Sequence, residues 1–139
     1  MIVLDTSGLL AAIDSSQHRH EAAAGALRES AGPLLLSPFV LAELDYLITT
    51  RISGTAARAL LDQVAAGVNR LEPMDANDVM AATEVMDRYA GLQLGLADAS
   101  LVVLADRYGT SDILTLDERH FRAVLGPGSR PFRILPTDR

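Results

Sequence analysis

The chain begins Met1-Ile2-Val3-Leu4-Asp5-Thr6-Ser7, a run of three aliphatics, two of them β-branched, that stops at a carboxylate and two hydroxyls. A segment apolar on both faces cannot alternate between core and water. It reads as a strand buried on each side, which requires a parallel sheet covered by helices. Open parallel sheets keep their chemistry outside the carboxyl ends of the strands, and Asp5 is delivered to that edge.

The same pattern recurs along the chain. Leu34-Leu35-Leu36, Ile113-Leu114-Thr115 and Phe132-Arg133-Ile134-Leu135, closed by Pro136, read as further strands, with Val68 to Leu71 a weaker one. Between them lie helical segments with start and stop signals. A short helical turn spans Gly8 to Ile13, and the Asp14-Ser15-Ser16 cluster is expected to cap a helix over His18 to Glu29 that Gly32-Pro33 closes. Ser37 as N-cap with Pro38 at the first helical position starts a helix to about Thr50. Ser53-Gly54-Thr55 opens another, Asp75 caps one over 76–90, and helices are expected over 97–108 and from Glu118 to Val124. Strands alternating with helices predict an α/β fold, a three-layer α/β/α sandwich around a central, mainly parallel sheet, with residues 1–139 forming one domain. No apolar run approaches the roughly 20 residues needed to span a bilayer. No secretory pattern opens the chain, so a cytoplasmic protein is expected.

Two absences narrow the chemistry. Without Cys there are no disulfides, thiolate zinc sites or cysteine nucleophiles. Without Lys there is no Schiff-base lysine and no P-loop; all 12 basic residues are Arg. The net charge of −6 is unevenly spread, because residues 119–139 hold Arg119, Arg122, Arg130, Arg133 and Arg139 against Asp138 alone. An acidic total therefore does not exclude a polyanionic substrate.

Of the 18 carboxylates, four stand out. Asp5 ends a hydrophobic strand that has no structural need of an acid. Glu43 falls, at about 100° per residue, within the stripe of Phe39, Val40, Leu44, Tyr46 and Leu47, whereas Asp45 points away to solvent. An acid in a core stripe calls for an explanation: a metal, an arginine such as Arg51, or a place at the margin of the stripe. Asp98 opens a helix apolar nearly all round, and Asp117 follows a strand; each serves equally as an N-cap or as a ligand. Asp14, Asp62, Glu72, Asp75, Asp87, Asp106 and Asp112 read as caps or polar-face residues. His18, His20 and His120 form no i, i+4 zinc pair. Hard carboxylate oxygens suit Mg²⁺ or Mn²⁺.

Asp5-Thr6-Ser7, Leu41-Ala42-Glu43-Leu44, Leu96-Ala97-Asp98-Ala99-Ser100 and Thr115-Leu116-Asp117-Glu118-Arg119-His120-Phe121, in that order, resemble the PIN-domain nucleases, and specifically the VapC-type toxins of bacterial toxin–antitoxin systems. The resemblance implies a Mg²⁺-dependent endoribonuclease, with Mn²⁺ able to substitute, whose acidic quartet is Asp5, Glu43, Asp98 and Asp117, supported by Ser7 and Thr115. It further implies an RNA substrate cut to 5′-phosphate and 3′-hydroxyl ends, arrest of translation and growth, a homodimer, and an antitoxin whose C-terminal segment occupies the groove. Phosphotransferases of the haloacid-dehalogenase type and receiver domains also place an acid after the first strand. Both rely on a lysine that is missing, and the former needs an Asp where Ser7 stands. A catalytically silent PIN-like binding module is opposed by the intact quartet alone.

Overall fold

The computed structural model describes residues 1–139. Five strands, β1 (Ile2–Leu4), β2 (Leu34–Leu36), β3 (Arg70–Leu71), β4 (Asp112–Leu114) and β5 (Arg133–Leu135), form one sheet in the order β3-β2-β1-β4-β5. Every pairing is parallel. Seven α-helices join and cover it: α1 (Thr6–Ile13), α2 (His20–Glu29), α3 (Pro38–Arg51), α4 (Gly54–Ala65), α5 (Ala76–Arg88), α6 (Leu96–Tyr108) and α7 (Glu118–Ala123). The expected α/β architecture is thus present, with β1 central and its three residues at most 2% exposed. No helix is long and apolar enough to cross a membrane.

The register decides where chemistry can sit. Leu4 pairs with Leu36 and Leu114, Leu36 with Leu71, and Leu114 with Leu135. All five strands therefore end at one level. The next residue of each, namely Asp5, Ser37, Glu72, Thr115 and Pro136, forms a row along the carboxyl edge of the sheet. Thr115, expected inside β4, belongs to this row instead.

Local signals hold where capping is short-range. The Ser37 hydroxyl accepts from Phe39 N–H with Pro38 in the first turn, and Asp75 and Asp78 form a reciprocal capping box on α5. The Asp14 cluster does otherwise. Its carboxylate accepts from the backbone and hydroxyl of Ser16, closing a turn after α1, and α2 starts only at His20 behind a non-capping Arg19. The short side chain of Asp14 bonds Ser16 and Gln17, and His20 lies beyond its reach.

Candidate metal centre

Asp5 is 4% exposed, and both of its side-chain partners are hydroxyls: Thr115 Oγ1 at 2.6 Å and Ser7 Oγ at 2.9 Å. Both bond the same oxygen, Oδ2. Each hydroxyl also accepts a backbone N–H, Thr115 from Asp117 at 2.9 Å and Ser7 from Leu116 at 3.0 Å. The β4–α7 loop thereby orients two O–H groups at one carboxylate oxygen and leaves Oδ1 without a side-chain partner. Burial is the dominant influence on Asp5. It outweighs the hydroxyl bonds and, with a smaller push from Asp98, raises the pKa to about 6. The like-charge repulsion expected of clustered acids is the minor cause here.

Asp98 stands in the first turn of α6, behind its N-cap Gly95. Its pKa is raised, chiefly by burial, with Asp117 and Glu43 adding to the effect and His120 opposing it. Asp117 is the N-cap of α7, its Oδ1 accepting from His120 N–H at 3.1 Å. The His120 ring then folds back between the two acids. Its Nδ1 lies 2.8 Å from Asp117 Oδ2 and 3.6 Å from Asp98 Oδ2. That nitrogen is buried and off line for a hydrogen bond, so it ends without a partner. One ligand atom each from Asp98, Asp117 and His120 fall within 4.8 Å of one another, close enough to share an ion. A search for paired histidines passes over His120. The usable signal was its position three residues beyond a capping Asp, where a helix places two side chains on one face.

Glu43 corrects the helical-wheel expectation. The buried face of α3 is the narrow line Val40, Leu44 and Ile48, and Tyr46 is 68% exposed. Glu43 is exposed rather than enclosed in the core, and Asp45, expected in solvent, is half-buried. Nor does Glu43 pair with Arg51: no acid lies within 4.0 Å of that guanidinium. Glu43 nevertheless lines the same cleft of about 300 Å³ as Asp5, Asp98 and Asp117, together with Thr6, Ser7, Leu10, Leu47 and Arg51. All four acids line this one cleft, three from the sheet edge and its adjoining helix starts and one from the flank of α3, although the atoms close enough to share one ion belong to Asp98, Asp117 and His120.

Two buried features hold this frame. Ser100 Oγ donates to Ala97 O at 2.6 Å, so in its 2.8 Å contact with Ser37 it is the acceptor. Phe39 N–H, Ser37, Ser100 and Ala97 O thus form one directional chain joining the start of α3 to the first turns of α6. At Gly8, directly after Ser7, a Cβ would collide with the Leu114 carbonyl. Only a glycine lets α1 lie this close to β4.

The parallel sheet carries an acidic cleft at its carboxyl edge, and comparison with known proteins identifies the family. The sequence profile of the PIN domain matches residues 2–125, and the chain belongs to the PIN-domain family. Within it, the chain is of the VapC-type ribonucleases: it is 42% identical over 135 residues to Ribonuclease VapC26 of Mycobacterium tuberculosis, covering 97% of this chain and all of that protein. The fold is shared with the crystal structure of Mycobacterium tuberculosis VapC20, a toxin that cleaves the sarcin–ricin loop, with a TM-score of 0.78 at 24% identity over 84% of this chain and 90% of that one.

Proposed function

We propose that the protein is a Mg²⁺-dependent endoribonuclease, the toxin of a toxin–antitoxin module, with Asp5, Glu43, Asp98 and Asp117 as its metal-binding and catalytic acids. The observation that carries this is Asp5. A carboxylate 4% exposed whose side-chain partners are two hydroxyls lacks the cation that burial demands. The donor set fits a hard divalent ion, because the cleft is lined by the carboxylates of Asp5, Glu43, Asp98 and Asp117. Mn²⁺ would substitute for Mg²⁺ on the same oxygens.

A bound ion supplies charge to neutralise phosphate oxygens and lowers the pKa of an attacking water. The residues of the chain do the rest. Ser7 and Thr115 fix one oxygen of Asp5 so that the other is presented to the cleft. Asp98 in the first turn of α6 and Asp117, held as the N-cap of α7 by the His120 N–H, line the same cleft. Glu43, exposed on the flank of α3, is the acid free to take a proton from water as the water oxygen bonds phosphorus and the P–O3′ bond breaks, leaving a 5′-phosphate and a 3′ oxygen that solvent protonates to the hydroxyl. The antitoxin would cover this groove, and the active form would be a homodimer, as the family resemblance implies.

The test is cleavage of bacterial total RNA by the purified protein with Mg²⁺ or Mn²⁺. Activity is expected to vanish in EDTA and in Asp5→Asn. Cleavage that continued in EDTA would overturn the assignment.

A further inference from the structure

The acidic cleft has one basic side chain in its wall. Arg51, in the last turn of α3, lines it beside Leu47, and the other ionisable groups there are the four carboxylates. Six of the remaining arginines, Arg58, Arg70, Arg107, Arg122, Arg133 and Arg139, are engaged by acids. Arg51 is exposed and makes no ion pair, although Glu43 lies two turns earlier on the same helix and shares its cleft. On an α-helix a long side chain leans back toward the N-terminus over residues i−3 and i−4, which directs this guanidinium over Leu47 and into the groove. Eight residues separate it from Glu43, a rise of about 12 Å along α3.

We infer that Arg51 is a substrate-positioning residue that grips an RNA phosphate neighbouring the scissile one. This rests on the ribonuclease reading above. An acid-lined groove repels a polyanion everywhere except where a cation faces it, and the guanidinium fork matches the geometry of phosphate oxygens. Arg51 enters the groove from the C-terminal end of α3, two turns beyond Glu43, so we assign it to the strand rather than to the reacting group. Its freedom from acidic partners leaves its charge available for that contact. A cation at a helix C-terminus also interacts favourably with the helix dipole, but that role stabilises α3 and contributes nothing to RNA binding. The two roles separate cleanly by experiment.

The probe is a fluorescein-labelled, mixed-sequence 15-nucleotide RNA, bound by the non-cleaving Asp5→Asn protein and followed by anisotropy across a salt series. Adding Arg51→Gln is expected to weaken binding about tenfold and to reduce the slope of log affinity against log salt by roughly 0.7, the value for one phosphate contact on a single strand. Arg51→Lys, which keeps the charge, should restore most of the slope. In the active protein, Arg51→Gln should raise KM with kcat within about threefold, and Mn²⁺ binding followed by electron paramagnetic resonance should be unchanged. An unaltered salt slope in Arg51→Gln, with the thermal midpoint lowered or not, overturns the inference. Failure of the wild-type protein to cleave RNA with either metal would instead overturn the ribonuclease reading, so the two failures are distinguishable.

Discussion

Asp5 and Glu72 are the same kind of residue in the same kind of place, and the protein treats them oppositely. Each follows the last residue of a parallel strand, β1 and β3 respectively, and each is 4% exposed. Glu72 is fully engaged: Arg70 Nε donates to Oε1 at 2.8 Å, Tyr108 OH to Oε2 at 2.6 Å, and Arg107 lies 3.7 Å from Oε2. Arg70 in turn stacks over the Tyr108 ring at 5.0 Å. Asp5 receives two hydroxyls and no cation. A buried acid with arginines is a structural joint. One with only neutral donors, sharing a cleft with three other acids, has no positive charge from the protein to offset its own.

The sharpest way to break this contrast is to neutralise each acid in turn. Asp5→Asn should lower RNA cleavage on the order of 10³-fold, whereas Glu72→Gln should leave kcat of the folded protein unchanged. Stability should move the other way. Glu72→Gln is expected to cost about 1–3 kcal/mol in denaturant unfolding by weakening a buried charge-assisted network. If Glu72→Gln were the inactive one, the comparison would be inverted.

The next largest effect is in pH. The pKa of Asp5 is raised from 3.8 to about 6 in the folded protein. Its favourable contribution is therefore complete below pH 3.8 and is lost as pH rises through 6. In the metal-free protein, ionised Asp5 costs up to about 3 kcal/mol at pH 8. Asp5→Asn should thus be more stable than wild type at pH 8 and no more stable at pH 4, and millimolar Mg²⁺ should narrow the gap at pH 8. Equal stabilities at both pH values would show that burial imposes no charge penalty at Asp5.

Two smaller perturbations sharpen the picture. Thr115→Val removes a hydroxyl that serves Asp5 and Asp117 together, and metal affinity measured by isothermal titration should fall about tenfold. Ser37→Ala breaks the chain to Ser100 and the cap of α3; a loss of about 1 kcal/mol is expected, with activity nearly intact. A large activity loss in Ser37→Ala would extend the functional region beyond the cleft.

What could be read from sequence follows the range of each interaction. The β1 run, the strand–helix alternation, and the caps at Ser37 and Asp75 depend on neighbouring residues and were legible directly. The meeting of Asp5, Glu43, Asp98 and Asp117 was legible only through family resemblance, because it spans more than a hundred residues. The exposure of Glu43 was not. A wheel counts every apolar side chain as core, but the layer beneath α3 admits one line of residues two turns long, leaving Tyr46 outside. The burial of Glu72 was hidden likewise. β3 is two residues long, too short for periodicity, and Arg107 and Tyr108 come from the far end of α6. His120 was overlooked because its partners are acids rather than a second histidine.

Gly8 gives the site a genetic weak point. It bears no charge and no hydrogen-bonding side chain, yet the close approach of α1 to the Leu114 carbonyl depends on it. Every single-base change of a glycine codon that substitutes another residue adds a Cβ, and here that Cβ would overlap the Leu114 carbonyl, one residue from Ser7 and its bonds to Asp5 and Thr115. A substitution at Gly8 is thus expected to disturb the hydroxyl bonds that hold Asp5 without touching an acid.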